Sequence, residues 1–147
     1  MKYKTEKDIM DWQECERSFI IKVEIDQERI KSITKKALQR LERARDTRVN
    51  LENVSFIVED YYEVIKELLV AYLLKRGLRS KNHQCLISYF LKQNPQHERE
   101  AVLISQLSFF RNRLTYYGED IPMEFYENKK NDFEEIIKLV LRLLNEN

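Results

Sequence analysis

Glycine, proline and cysteine are nearly missing from this chain, with two of each among its 147 residues. So little Gly and Pro leaves almost no turn chemistry for β-hairpins. Glu, Lys, Leu, Ile and Arg dominate instead, and these are mostly side chains that lose little rotamer freedom in a helix. The composition therefore indicates an all-α protein. Cys15 and Cys85 are too few and too far apart for a disulfide framework, and neither lies in a C-x-x-C or Cys/His cluster, so zinc and thiol-redox roles are not expected and both are read as reduced. An excess of charge of one sign is also lacking. Lys and Arg number 26 against 25 Asp and Glu, a formal net charge of +1, which excludes a global pull toward phosphate or membrane and requires any basic surface to be local. No uncharged stretch approaches the roughly 18 residues that span a bilayer. The segment from Met1 to Asp11 carries charges rather than a basic region followed by an apolar run, so a cytoplasmic location is expected, without a membrane partner. The G-x-x-x-x-G-K-S/T phosphate loop, the G-x-S-x-G elbow and the H-E-x-x-H zinc helix are all missing. No cofactor or metal is expected.

What is present is helical periodicity. A chain of this length fits one domain, 1–147, with residues 1–25 as a lead-in segment packing on the body. Within that lead-in, Trp12 and Phe19-Ile20-Ile21 are mixed with charges and show no sustained period. Asp26 is then a candidate N-cap, and Ile30, Ile33, Ala37, Leu41 and Ala44 follow at three- and four-residue steps, predicting a helix that ends near Asn50. A second helix begins after Leu51 to Asn53, and its wide apolar arc, from Val54 through Tyr61, Ile65, Leu68 and Tyr72, places it at the centre of the core. Gly77, just after Lys75-Arg76, is where it should stop. A short helix over His83 to Leu91 ends before Asn94-Pro95. A longer helix follows from about Gln96 to Tyr117, closed by Gly118, and a last one begins near Asp120 and Pro122. The expected fold is an antiparallel up-and-down bundle of four main helices plus a short extra helix.

Such a bundle can host several functions, so function must be sought in particular residues. The most informative run is Phe109-Phe110-Arg111-Asn112-Arg113-Leu114-Thr115-Tyr116-Tyr117-Gly118. At 100° per residue, Asn112 and Tyr116 share a face with Arg111 beside them, while Leu107, Phe110 and Leu114 anchor the other side. A permanent forked cation, an orienting amide and a phenol with stacking surface suit a phosphodiester. The plainer alternative is that Arg and Tyr near a helix C-terminus favour the dipole end and cover apolar surface. Arg113 belongs to the same candidate surface, and Lys75, Arg76, Arg79 and Lys81 form a second local cationic cluster that could meet phosphate or simply be solvated. His83 is read as capping the next short helix, and His97 as exposed in a polar connection. The acidic groups Glu59-Asp60-Glu63 and Asp132-Glu134-Glu135 lack the Glu-x-x-His element of a carboxylate-bridged metal site.

Arg111-Asn112, followed by three residues and Tyr116, resembles the signature of the HEPN domain family, in which an arginine, usually with a polar residue directly after it, precedes a histidine by four to six positions. Upstream, the run from Tyr61 to His83 is similar to that family's second helix and its basic, His-containing turn, and the resemblance covers roughly Asp26 to the C-terminus. It implies a homodimer, a tie to RNA or a nucleotide, and a small nucleotidyltransferase as partner in a toxin–antitoxin-like pair. In ribonuclease members the histidine belongs to a catalytic pair brought together across a dimer cleft; here the corresponding position holds Tyr116. A phenol with a pKa near 10 replaces an imidazole poorly, and general acid–base assistance of about 10²–10⁴-fold would be largely lost at neutral pH. Arg76 and His83 also satisfy the spacing formally, but Gly77 interrupts the helix between them. The expectation is a binding or partner module with degenerate or absent ribonuclease activity. The alternatives are a metal-independent endoribonuclease using Arg111, Asn112 and Tyr116, and a purely structural interaction protein.

Overall fold

Local signals position most of the helices. The Asp26 carboxylate accepts the Arg29 amide at 3.1 Å, which satisfies one of the free N–H groups at a helix start, and α2 runs over Gln27–Asp46. Its expected end near Asn50 is corrected to Asp46. There the Asn50 side chain accepts the amides of Glu52 and Asn53 while Asn53 accepts that of Asn50, so side-chain bonds take the backbone groups that a longer helix would have used. The central helix α3 spans Val54–Leu74, and fourteen of its 21 residues are buried. Such a helix must be enclosed on most sides. It packs against α2, against α4 (Gln84–Gln93), α5 (Glu98–Tyr117) and α6 (Met123–Asn145).

The computed structural model describes residues 8–146 of the chain, so the charged start of the sequence lies mostly outside the described residues. The fold is the expected one: an all-α, antiparallel up-and-down bundle of α2, α3, α5 and α6, with α4 as the short extra helix. Phe133, Ile136, Ile137 and Val140 of α6 meet Tyr61, Ile65 and Leu68 of α3 in one core. Gly77 and Gly118 both adopt positive φ, as expected of residues that end helices. At Gly77 the carbonyl also accepts the Val23 amide, and a Cβ there would lie 3.2 Å from the Val23 oxygen. Among the described residues no helix is long and apolar enough to cross a membrane.

The lead-in is more ordered than its sequence indicates. Asp11 caps a seven-residue helix, α1 (Trp12–Ser18), and β1 (Ile20–Lys22) pairs antiparallel with β2 (Leu78–Ser80) in the register Ile20↔Ser80, Ile21↔Arg79, Lys22↔Leu78. The strands come from distant parts of the chain, so scarce turn residues do not forbid them. Trp12 packs on Tyr89 of α4 with ring centroids 5.2 Å apart.

The expectation that both cysteines are reduced is overturned. Cys15 of α1 and Cys85 of α4 are fully buried and joined by a disulfide with Cα atoms 5.6 Å apart. Seventy residues separate them in sequence, and it is the packing of α1 on α4 that brings them within bonding geometry.

Candidate functional site

Arg111, Asn112 and Tyr116 do come together, in a cleft of about 330 Å³ where the C-terminal half of α5 faces the turn that opens α4. Leu107 and Phe110 are buried on the other side of α5 and hold it against the bundle. Phe19 and Tyr62 supply aromatic wall, Ser108, Asn82 and Gln84 supply hydrogen-bonding groups, and Lys81 adds a second cation. Gln84 Nε2 donates to Ser108 Oγ at 2.7 Å, tying the two helices across the cleft.

The Arg111 guanidinium is held but not saturated. Its Nη1 donates to Asn112 Oδ1 at 3.3 Å, its Nη2 lies 3.5 Å from Glu63 Oε1, and its Cζ sits 5.9 Å from the Tyr62 ring centroid. Its Nε is enclosed without a hydrogen-bond partner. Glu63 is shared, because Lys66 Nζ approaches its other oxygen at 2.6 Å. An arginine has five donors, so an anion at this wall would find several unused. Burial raises the Tyr62 phenol above its usual range, with a Ser108 hydrogen bond drawing it partway back.

His83 lines the same cleft, and it also borders a smaller cavity with Arg29, Arg79 and Ser80. The reading of it as a cap is corrected: its side chain makes no capping bond, and Asn82 Oδ1 accepts the Gln84 amide instead, at 2.8 Å. Burial lowers the His83 pKa, and Lys66 and Arg111 lower it further against the opposing pull of Glu63, so the imidazole is neutral at pH 7. Nothing local in the sequence marks this residue, since its partner Arg111 is on another helix. Arg76 and His83 do not form a pair despite their spacing, because the Arg76 guanidinium stacks 4.2 Å over the Tyr72 ring.

The remaining candidates are dispersed. Arg113 forms an ion pair with Glu119 and lies 4.5 Å over Tyr117. Lys75 donates to the carbonyls of Leu144 and Glu146 at the end of α6. Arg79 faces the smaller cavity, so of the second cluster only Lys81 joins Arg111. His97 is half-buried rather than exposed, stacked on Phe90, because the 3-10 turn Pro95–His97 folds back on α4. The acidic groups are engaged in ion pairs, Asp60 with Arg40 and Arg43 and Glu134 with Arg45. Among the described residues no three His, Cys, Asp or Glu side chains are grouped to hold a metal ion.

Compared with known proteins, the chain matches no family model, no curated protein and no solved structure.

Proposed function

We propose that this protein is a HEPN-like binding module that recognises RNA or a nucleotide through its phosphate at the Arg111 cleft, with degenerate or absent ribonuclease activity. The observation that carries this reading is the under-satisfied Arg111 guanidinium, set beside Lys81 and flanked by aromatic rings at the mouth of a polar cleft. A cation with spare donors provides affinity for phosphate, and aromatic faces accept a base without demanding a sequence. The likeness of the Arg111-Asn112 run to the HEPN signature adds homodimerisation and a small nucleotidyltransferase partner to the proposal.

A fluorescently labelled single-stranded RNA tests it. Binding should weaken steeply with added salt, as phosphate contacts require, and Arg111→Ala should reduce it at least about tenfold. Binding that ignores both salt and Arg111→Ala would leave the interaction-protein alternative in its place.

A second reading, a metal-independent endoribonuclease, is favoured by one feature: the neutral imidazole of His83 shares the cleft with Arg111 and Tyr116. It supplies the near-neutral base that Tyr116 does not. Cleavage of mixed RNA without metal, lost in both Arg111→Ala and His83→Ala, would select this reading over binding alone.

The cytoplasmic location expected from the sequence is kept in the proposal. The Cys15–Cys85 bond then fits a heat-loving source, where intracellular disulfides persist, in agreement with a highly charged chain poor in Gly and Pro.

A further inference from the structure

Neutral imidazoles among cations respond to anions. Around His83 stand Glu63 and Lys66 on α3, Arg111 and Tyr116 on α5, Arg79 and Lys81 on the connection from β2, and Arg29 on α2 across the smaller cavity. At the Arg111 cleft, Lys66, Lys81 and Arg111 carry three positive charges against the one negative charge of Glu63, a balance of +2 with His83 uncharged. An internal phosphodiester brings one negative charge and leaves the cleft cationic. A terminal phosphate monoester brings nearly two at neutral pH and cancels the balance. Only the second removes the field that helps to keep His83 deprotonated, and its extra oxygens can use the spare donors of Arg111.

We propose that the Arg111 cleft selects a terminal phosphate monoester, the end of an RNA or a mononucleotide, over an internal phosphodiester, and that His83 takes up a proton from solvent when the phosphate binds. The inference rests on the cleft being a phosphate site, and it adds the ligand class and the proton linkage. The proton goes to the free imidazole nitrogen; no covalent bond between heavy atoms changes. The sign is distinctive. Fixed cations around a phosphate monoester, whose second pKa is near 6, drive its residual proton off, so the ligand alone would release a small fraction of a proton at pH 7. Net uptake must come from the protein.

Calorimetric titration of the full chain with uridine 5′-monophosphate, and separately with the diester UpU, at pH 7 in two buffers of different ionisation enthalpy, reads both affinity and protons. The expected result is tighter binding of the monophosphate than of UpU, with net uptake approaching one proton. His83→Gln should bind the monophosphate within a few-fold of the parent but with the uptake gone and a slight release left. Arg111→Ala should lose at least about tenfold in affinity. Monophosphate binding that depends on Arg111 but moves no proton, or keeps its uptake in His83→Gln, overturns the linkage and leaves the phosphate site standing. UpU binding as tightly as the monophosphate overturns the preference for a terminal group. Binding of neither ligand overturns the inference together with the reading on which it rests.

Discussion

Adjacent tyrosines of α3 lead into two arginine–carboxylate–tyrosine groups that are built from the same parts and finished differently. On one face, Arg45 of α2 makes a forked contact with Glu134 of α6, its Nε 3.1 and 3.2 Å from the two carboxylate oxygens, and Tyr61 donates to the same carboxylate at 2.8 Å. On the other, Arg111 touches Glu63 by one long contact at 3.5 Å, shares it with Lys66, meets Tyr62 only through the ring, and keeps an unpartnered Nε. The first group is closed: each member satisfies another, and the Arg45 bonds hold the Glu134 carboxyl below its ordinary range while burial and that carboxylate push the Tyr61 phenol up. The second is open, with donors to spare at a cleft. A closed network across three helices fixes the bundle; an open one at a cavity is what a ligand can complete.

That contrast can be broken by experiment. The largest effect on stability should come from neither group but from the staple beside the open one. Replacing Cys15 and Cys85 by Ser releases a 70-residue loop, and chain entropy places the loss at about 4 kcal/mol in urea unfolding. Because Cys85 lies in the first turn of α4 and Phe19 follows α1, phosphate affinity should fall with it.

Next comes the closed group. Glu134→Ala strands the Tyr61 hydroxyl and the Arg45 guanidinium and should cost roughly 2 kcal/mol, as expected for losing charge-assisted hydrogen bonds at a partly covered site, while leaving ligand binding unchanged. Its pH dependence has a definite sign. A carboxyl whose folded pKa is depressed contributes stability above its unfolded value near 4.5, and that contribution disappears as pH falls through the lower folded value. Urea midpoints measured from pH 6 to pH 3 should therefore drop more steeply in the parent protein than in Glu134→Gln.

The smallest stability change should come from Arg111→Ala, less than about 1 kcal/mol, since its ion pair is long and partly solvated and its removal also relieves an unsatisfied donor. A stability loss there as large as that of Glu134→Ala would show that the two groups are equivalent structural ties and dissolve the contrast.

Legibility in the sequence depends on how far apart along the chain the interacting residues lie. The stripe through Ile30, Ala37 and Leu41, the apolar arc of α3, the Asp26 cap and the glycines at 77 and 118 are signals carried by neighbouring residues, and each leads to its helix. The face shared by Arg111, Asn112 and Tyr116 is legible for the same reason, because one helical turn sets it. Asn50 and Asn53 are the local exception, where reciprocal side-chain bonds end α2 earlier than its apolar stripe indicates.

The amino-acid sequence by itself determined the helices, their order and hence the bundle, since periodicity and caps act within a few residues along the chain. Only the tertiary structure decided that Cys15 meets Cys85, that Ile20 pairs with Ser80, and that His83 rather than a residue of α5 brings an imidazole to Arg111. These meetings join segments tens of residues apart, where adjacency is set by how whole helices pack and leaves no periodic trace in either partner.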